Sequence, residues 1–186
     1  RVDERWDSST NSTRLRRYEV EMADRDGFDE FVATHAVALA RSARLLTGEP
    51  GSADDLLQET LIRLWTKWPR VRGADRPLAY ARTTMARLHL DSRRLRRSHE
   101  TPIAIDDRTG EHSSPTSVVD DHLTLWQALD RLQRLDRAVL VLRYHDGYTS
   151  GEVAAMLGIS DGAVRKRAAR ALQVVRTELD SSKGVR

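Results

Sequence analysis

The stretch YTSGEVAAMLGISDGAVRKRAARAL, residues 148–172, decides the fold class. It opens on Thr149-x-x-Glu152, a hydroxyl and a carboxylate spaced to satisfy two backbone N–H groups at a helix start. Gly158 fits the left-handed position that ends such a helix, and Ser160 fits the cap of the next one. Helix, glycine turn and helix at this length read as a helix-turn-helix. The second helix sorts its residues by face. Val164, Ala168, Ala171, Leu172 and Val175 fall on one side; Arg165, Lys166, Ala169, Arg170, Gln173 and Arg176 fall on the other. Long donors around a small Ala suit a helix laid in a major groove, where Arg can read guanine bidentately. Arg167 falls nearer the core flank, which predicts a phosphate or scaffold contact.

Working outward, residues 121–182 form one helical domain and 27–98 another. Residues 99–120, with two Pro, one Gly and scattered charges, have the composition of a flexible linker. Residues 1–26 are polar, hold a Ser/Thr/Asn run from Ser8 to Thr13, and read as a flexible tail. No strand-period segment stands out. The expected fold is all-α, two helical domains on a tether.

In the first domain, Gly48, Pro50 and Gly51 separate a helix over Phe28–Leu46 from one over 53–68. Leu57, Leu61, Leu64, Trp65 and Trp68 form an apolar stripe on the latter. Asp55, Gln58, Glu59 and Ile62 lie on the opposite arc, which is either a solvated face or a docking face for a basic partner. Pro69 is expected to end the helix. The loop PRVRGADRP (69–77) carries Arg70, Arg72 and Arg76 where phosphates could pass. In the next helix Leu78, Ala81, Met85, Leu88, Ser92 and Leu95 step by three and four. Tyr80, Thr83, Thr84, Arg87, Asp91 and Arg94 take the other side. An aromatic ring, hydroxyls and Arg on one face are the groups that stack on bases and hold phosphates.

Charge is segregated in the same way. Formal net charge is only +3, yet residues 82–97 hold six Arg against Asp91 alone, and 161–176 hold five basic residues against Asp161 alone. Such clustering points to a polyanion. The absence of Cys excludes disulfides, thiol nucleophiles and Cys-ligated zinc. His89 and Asp91, two residues apart, point to different sides of a helix and form no metal-ligand motif; no metal, cofactor or catalytic residue is expected. His35, His99, His112, His122 and His145 read as ordinary surface or core residues. No apolar run reaches the ~18–20 residues of a membrane span, so a cytoplasmic protein without membrane insertion is expected.

Taken together, about 28–180 resembles the extracytoplasmic-function (ECF) sigma factors. ADDLLQETLIRLW (53–65) is similar to their region 2.2, RPLAYARTTMARLHLDSRRLRR (76–97) to regions 2.3 and 2.4, and 148–172 to region 4.2. The resemblance implies a non-enzymatic subunit that directs RNA polymerase core to promoters and helps melt them. It implies that Asp55, Gln58, Glu59 and Ile62 meet the beta-prime clamp helices. Arg70, Arg72, Arg76, Tyr80, Thr83, Thr84, Arg87 and Arg94 would meet the minus-ten element, the 69–77 loop capturing a flipped base. Ser160, Arg165, Lys166, Arg167, Ala169 and Arg170 would meet the minus-thirty-five element, with the beta flap as the second domain's polymerase contact. Arg87 stands where many members carry Asn, and Lys166 and Ala169 also depart from common members, so promoter preference does not transfer. An anti-sigma factor is a further partner the family admits; no large domain after region 4 is expected to supply control instead. The competing reading is a two-domain helix-turn-helix regulator that never enters polymerase, which has no use for the 53–65 motif.

Overall fold

The computed structural model describes the backbone of residues 8–99 and 125–183, and the side chains of 27–91 and 125–181. Among these residues the chain is helical throughout. α1 spans Ser8–Thr47, α2 Pro50–Thr66, α3 Trp68–Arg72 and α4 Pro77–His99. In the second half, α5 covers 125–130 and α6 Arg134–Leu140, running into a π-helical turn at Val141–His145. α7 (Ser150–Leu157) and α8 (Asp161–Lys183) complete it.

Three boundaries differ from the sequence reading. α1 begins at Ser8, well before Phe28, so most of the expected tail is helical. From Arg14 onward those upstream turns are rich in Arg and Glu, helix formers that extend a helix without an apolar stripe to announce it, although the Ser/Thr/Asn run before them has lower helix propensity. Pro69 does not end α2. The break falls at Lys67, and Pro69 sits in the first turn of α3, where its missing N–H costs nothing. The 69–77 segment is therefore helical as far as Arg72 and turns only over 73–76. The linker reading of 99–120 lies, apart from the backbone of His99, outside the described residues.

α1, α2, α3 and α4 enclose a core of Phe31, Leu39, Leu46, Leu56, Leu64, Trp68, Val71 and Met85. Trp68 anchors it, with the Phe28 and Phe31 rings at 5.2 and 5.3 Å. The α2 stripe is rotated from expectation. Ala53, Leu56, Thr60 and Leu64 are buried, Leu57 and Leu61 only partly, and Trp65 stays 39% exposed. Thr60 tolerates full burial because its hydroxyl donates to the Leu56 carbonyl at 2.7 Å.

The two helical halves pack against each other. Ala138 and Val141 of the second half belong to the first core, and Ala86 of α4 belongs to the second, among Val139, Leu142, Tyr148, Val153, Met156, Val164 and Ala168. α4 is thus buried on two flanks. Ala81, Met85 and Leu88 face α1 and α2 as the periodicity predicts, whereas Ala86 and His89 are buried on another side. Gly48 records the close approach. Its φ is +87°, and a Cβ there would stand 2.7 Å from Asp130 Oδ1 and 2.9 Å from Arg137 Nη2. Only glycine accepts both the backbone angle and the neighbour.

Candidate nucleic-acid and polymerase interface

The helix-turn-helix forms as its sequence dictates. The Thr149 side chain accepts from Glu152 N–H at 3.2 Å, and Glu152 accepts from Thr149 N–H at 2.8 Å, a complete capping box. Gly158 closes α7 at φ +70° and the Ser160 hydroxyl accepts from Ala163 N–H at 3.2 Å, capping α8. Ser160 is exposed but already engaged as a cap. Val164, Ala168, Ala171 and Val175 are buried, while Arg165, Lys166, Ala169 and Arg170 are exposed together on the opposite face. This rigid helix therefore offers three long cationic side chains around a small one.

Arg167 turns back to the scaffold. It pairs with Asp136 at 2.6 Å, a carboxylate whose side chain is 6% exposed. Arg170 approaches the other oxygen of Asp136 at 3.6 Å while staying largely exposed, and Arg165 pairs with Asp161 at 2.6 Å. Both exposed arginines are held near their surface positions by carboxylates that a polyanion could displace.

On α2, Asp55, Gln58, Glu59 and Ile62 all point to solvent. Glu59 holds Arg63 at 2.7 Å, an exposed pair of small energetic weight. Ile62 is 51% exposed and Trp65 adds a second large apolar surface on the same helix, which the stripe reading had assigned to the core. Asp55 and Glu59 also border a cleft of about 630 Å³ whose far wall carries Asp130, Arg134 and Arg137. Arg137 is 5% exposed and donates to the Leu45 carbonyl at 2.6 Å and to Asp130 at 2.9 Å; burial lowers its pKa, with Asp130 opposing that shift. Among the described residues no cluster of three or more His, Asp or Glu side chains could hold a metal ion.

The α4 residues are only partly grouped as expected. Arg70 and Arg72 are exposed on α3, and Arg76 is exposed at the entry to α4. Tyr80, Thr83 and Thr84 are half-buried, and both threonine hydroxyls donate to carbonyls four residues back, Ala79 at 2.8 Å and Tyr80 at 2.9 Å. Arg94 lies on α4, but its side chain is outside the described residues. The unexpected finding is what the arginines touch. Arg76 pairs with Glu152 and Arg87 donates to the Met156 carbonyl at 2.9 Å, both partners on α7. Arg82, absent from the sequence-based set, pairs with Asp146 at 3.0 Å, with side chains 13% and 1% exposed. Ser42 of α1 donates to the same carboxylate oxygen at 2.9 Å and His145 lies 3.1 Å from it. Tyr148 lies beneath Arg76 and Arg82, its ring centre 5.4 and 5.7 Å from their guanidinium carbons. Glu152 is held well below the usual carboxylate range, at about 2, by the Thr149 backbone N–H and by Arg76, which Glu152 in turn raises.

Comparison with known proteins agrees with this layout. The family model described as Sigma-70 region 2 matches residues 31–99, and that described as Sigma-70, region 4 matches 122–174. The chain belongs to the ECF sigma factors. The RNA polymerase sigma-E factor of Streptomyces avermitilis is 36% identical over 160 residues, covering 83% of this chain and 86% of the relative. The ECF RNA polymerase sigma factor SigL of Mycobacterium tuberculosis is 36% identical over 152 residues, covering 78% and 86%. Among solved structures, the sigma factor RpoE in complex with the anti-sigma factor NepR from Bartonella quintana shares the fold at a TM-score of 0.60 and 21% identity, covering 83% of this chain and 97% of that one. CnrH in complex with the cytosolic domain of CnrY does so at 0.58 and 24%, covering 88% and 94%. This sigma factor directs RNA polymerase to promoters, the activity of its family; the region 2 match falls on α1–α4 from residue 31 and the region 4 match on α5–α8 as far as residue 174. No described helix is long and apolar enough to cross a membrane.

Proposed function

We propose that this sigma factor divides initiation among three surfaces and contributes binding, not chemistry, to the cytoplasmic polymerase. The α2 face of Asp55, Gln58, Glu59 and Ile62, widened by Trp65, docks on the beta-prime clamp helices. The α3–α4 surface of Arg70, Arg72, Arg76, Tyr80, Thr83, Thr84, Arg87 and Arg94 holds the opened minus-ten element. α8 lies in the major groove of the minus-thirty-five element with Arg165, Lys166, Ala169 and Arg170, while Ser160 and Arg167 fix its position and region 4 meets the beta flap. The cleft between α2 and α6 offers a place for an anti-sigma partner, the kind of protein that accompanies the Bartonella relative.

The observation that carries this reading over a regulator working without polymerase is the outward α2 face. Two carboxylates, an amide and an exposed Ile project from a helix whose other side buries Ala53, Leu56, Thr60 and Leu64. Unpaired bases are inaccessible until the duplex opens, so the α4 contacts act after the closed complex forms. Holoenzyme carrying Arg87→Ala should therefore bind core and closed promoter normally yet fail to make thymines near the start site reactive to permanganate. A pre-melted template should recover part of its transcription. Normal permanganate reactivity would place strand capture elsewhere on region 2.

A further inference from the structure

Segment 146–156 of region 4 presents to α4 and to Arg76 at its entry a run of groups with the chemistry of a nucleic-acid strand. Asp146 and Glu152 supply carboxylate oxygens to Arg82 and Arg76, as phosphates would. Between them Tyr148 supplies a ring against both guanidinium groups, as a base would. Beyond them the Met156 carbonyl accepts from Arg87. Those arginines lie on or beside the surface assigned above to the minus-ten strand. We infer that this segment is an internal strand mimic: in the closed molecule it occupies the strand-binding flank of region 2, and promoter single strand competes with it for Arg76, Arg82 and Arg87. The inference rests on the minus-ten assignment of α4 and extends it to the state of the free subunit.

The contact is built to be reversible. Asp146 is buried with one oxygen shared by Arg82, Ser42 and His145, while its Oδ2 has no hydrogen-bond partner among the described residues. A buried carboxylate satisfied on one oxygen alone retains a desolvation cost, which separation of the domains relieves. The Arg76–Glu152 pair lies at the exposed rim, where ions or phosphates reach it. Glu152 also closes the α7 capping box, so this carboxylate stands on a helix start, with Asp146 and Tyr148 in the short 146–149 segment that leads into it.

The absence of Cys allows a direct test on the full chain. Val37→Cys and Thr177→Cys, at exposed sites on α1 and α8, take a fluorophore pair that reports the separation of regions 2 and 4. Binding is read by anisotropy with a labelled single-stranded DNA of randomised sequence, long enough to span the α4 face. Asp146→Asn with Glu152→Gln keeps the cap, since Gln also serves at that position, and removes both charges. This variant should lengthen the inter-label distance and tighten strand binding at least ten-fold. An excess of unlabelled strand should lengthen the distance in the otherwise unchanged protein. Asp29→Asn with Asp54→Asn, the same charge change at exposed sites outside the contact, should shift affinity less than two-fold. Should the buried substitution impair folding, Glu152→Gln alone should still tighten binding about three-fold. An unchanged distance, an opened variant that holds the strand no better, or an equal gain in the control pair would each overturn the inference. The minus-ten assignment is judged separately by the permanganate result, which can fail while the domains still open.

Discussion

At the scale of single residues, one helix carries arginines with different duties. Arg165 and Arg170 are exposed and point away from the core, whereas Arg167 is tied to Asp136, a carboxylate buried between α6 and α8. Among the described residues, removing Arg167 leaves that carboxylate the longer approach of Arg170 as its ion pair. Deleting one partner of a buried pair costs more than the pair contributes, because the other charge stays desolvated. Arg167→Ala should lower the urea midpoint of region 4 by the equivalent of roughly 1–3 kcal/mol and weaken binding evenly across promoter sequences. Arg165→Ala and Arg170→Ala should leave the midpoint nearly unmoved and relax preference at one or two upstream positions, each at a cost of roughly 1–3 kcal/mol. Systematic variation of the upstream element, beside a denaturation curve for each variant, separates the two outcomes. Altered base preference in Arg167→Ala alone would reverse these assignments. Sequence periodicity already placed Arg167 toward the core flank; its partner, 31 positions away, left no local signal.

At the scale of elements, α2 has two faces of opposite purpose. Ala53, Leu56, Thr60 and Leu64 hold it to the bundle, and Asp55 and Glu59 project away from that contact. Asp55→Arg with Glu59→Arg should therefore abolish co-purification with core polymerase while helical circular dichroism is retained, surface changes of this kind seldom costing more than about 0.5 kcal/mol each. A folded double variant that binds core fully would remove the clamp role from this face. Elements were legible wherever local chemistry determines them. The Thr149–Glu152 box, the Gly158 turn and the α8 faces all formed as read, because caps and 3.6-residue periodicity act within a few residues. The upstream turns of α1 were not legible, since a Ser/Thr/Asn run followed by charged residues without an apolar stripe resembles a tail. α3 was hidden by Pro69, which reads as a stop to the preceding helix but equally well begins a new one.

At the scale of the whole molecule, the packing of region 4 on region 2 was invisible in the sequence because the burial of Ala86, His89 and Asp146 depends on partners far along the chain. Small or polar residues on a helix flank give no periodic sign of being covered. His89 turns that hidden contact into a pH response. It is 6% exposed, and burial, then the charges of Arg134 and Arg137, lower its pKa from 6.5 to about 4. Both arginines belong to region 4, and Arg134 donates to the His89 carbonyl at 2.9 Å, so the closed arrangement itself opposes the proton. The sign follows from the lowered value. Below pH 6.5 the unfolded chain takes up a proton that the closed molecule refuses, so stability falls with acidification and the loss is complete near pH 4. Its full extent is on the order of 3 kcal/mol, the equivalent of the lowered pKa. Glu152 acts in the same direction but at lower pH, losing its contribution as pH falls from 4.5 through about 2. His89→Gln should thus flatten the fall in urea midpoint between pH 6.5 and 4.5, while steeper losses at lower pH persist. Separating the domains removes the two arginine charges from His89, so acid should also lengthen the distance between regions 2 and 4 ahead of unfolding. Parallel midpoint curves for the two proteins across that window would show that His89 does not couple proton uptake to the closed state.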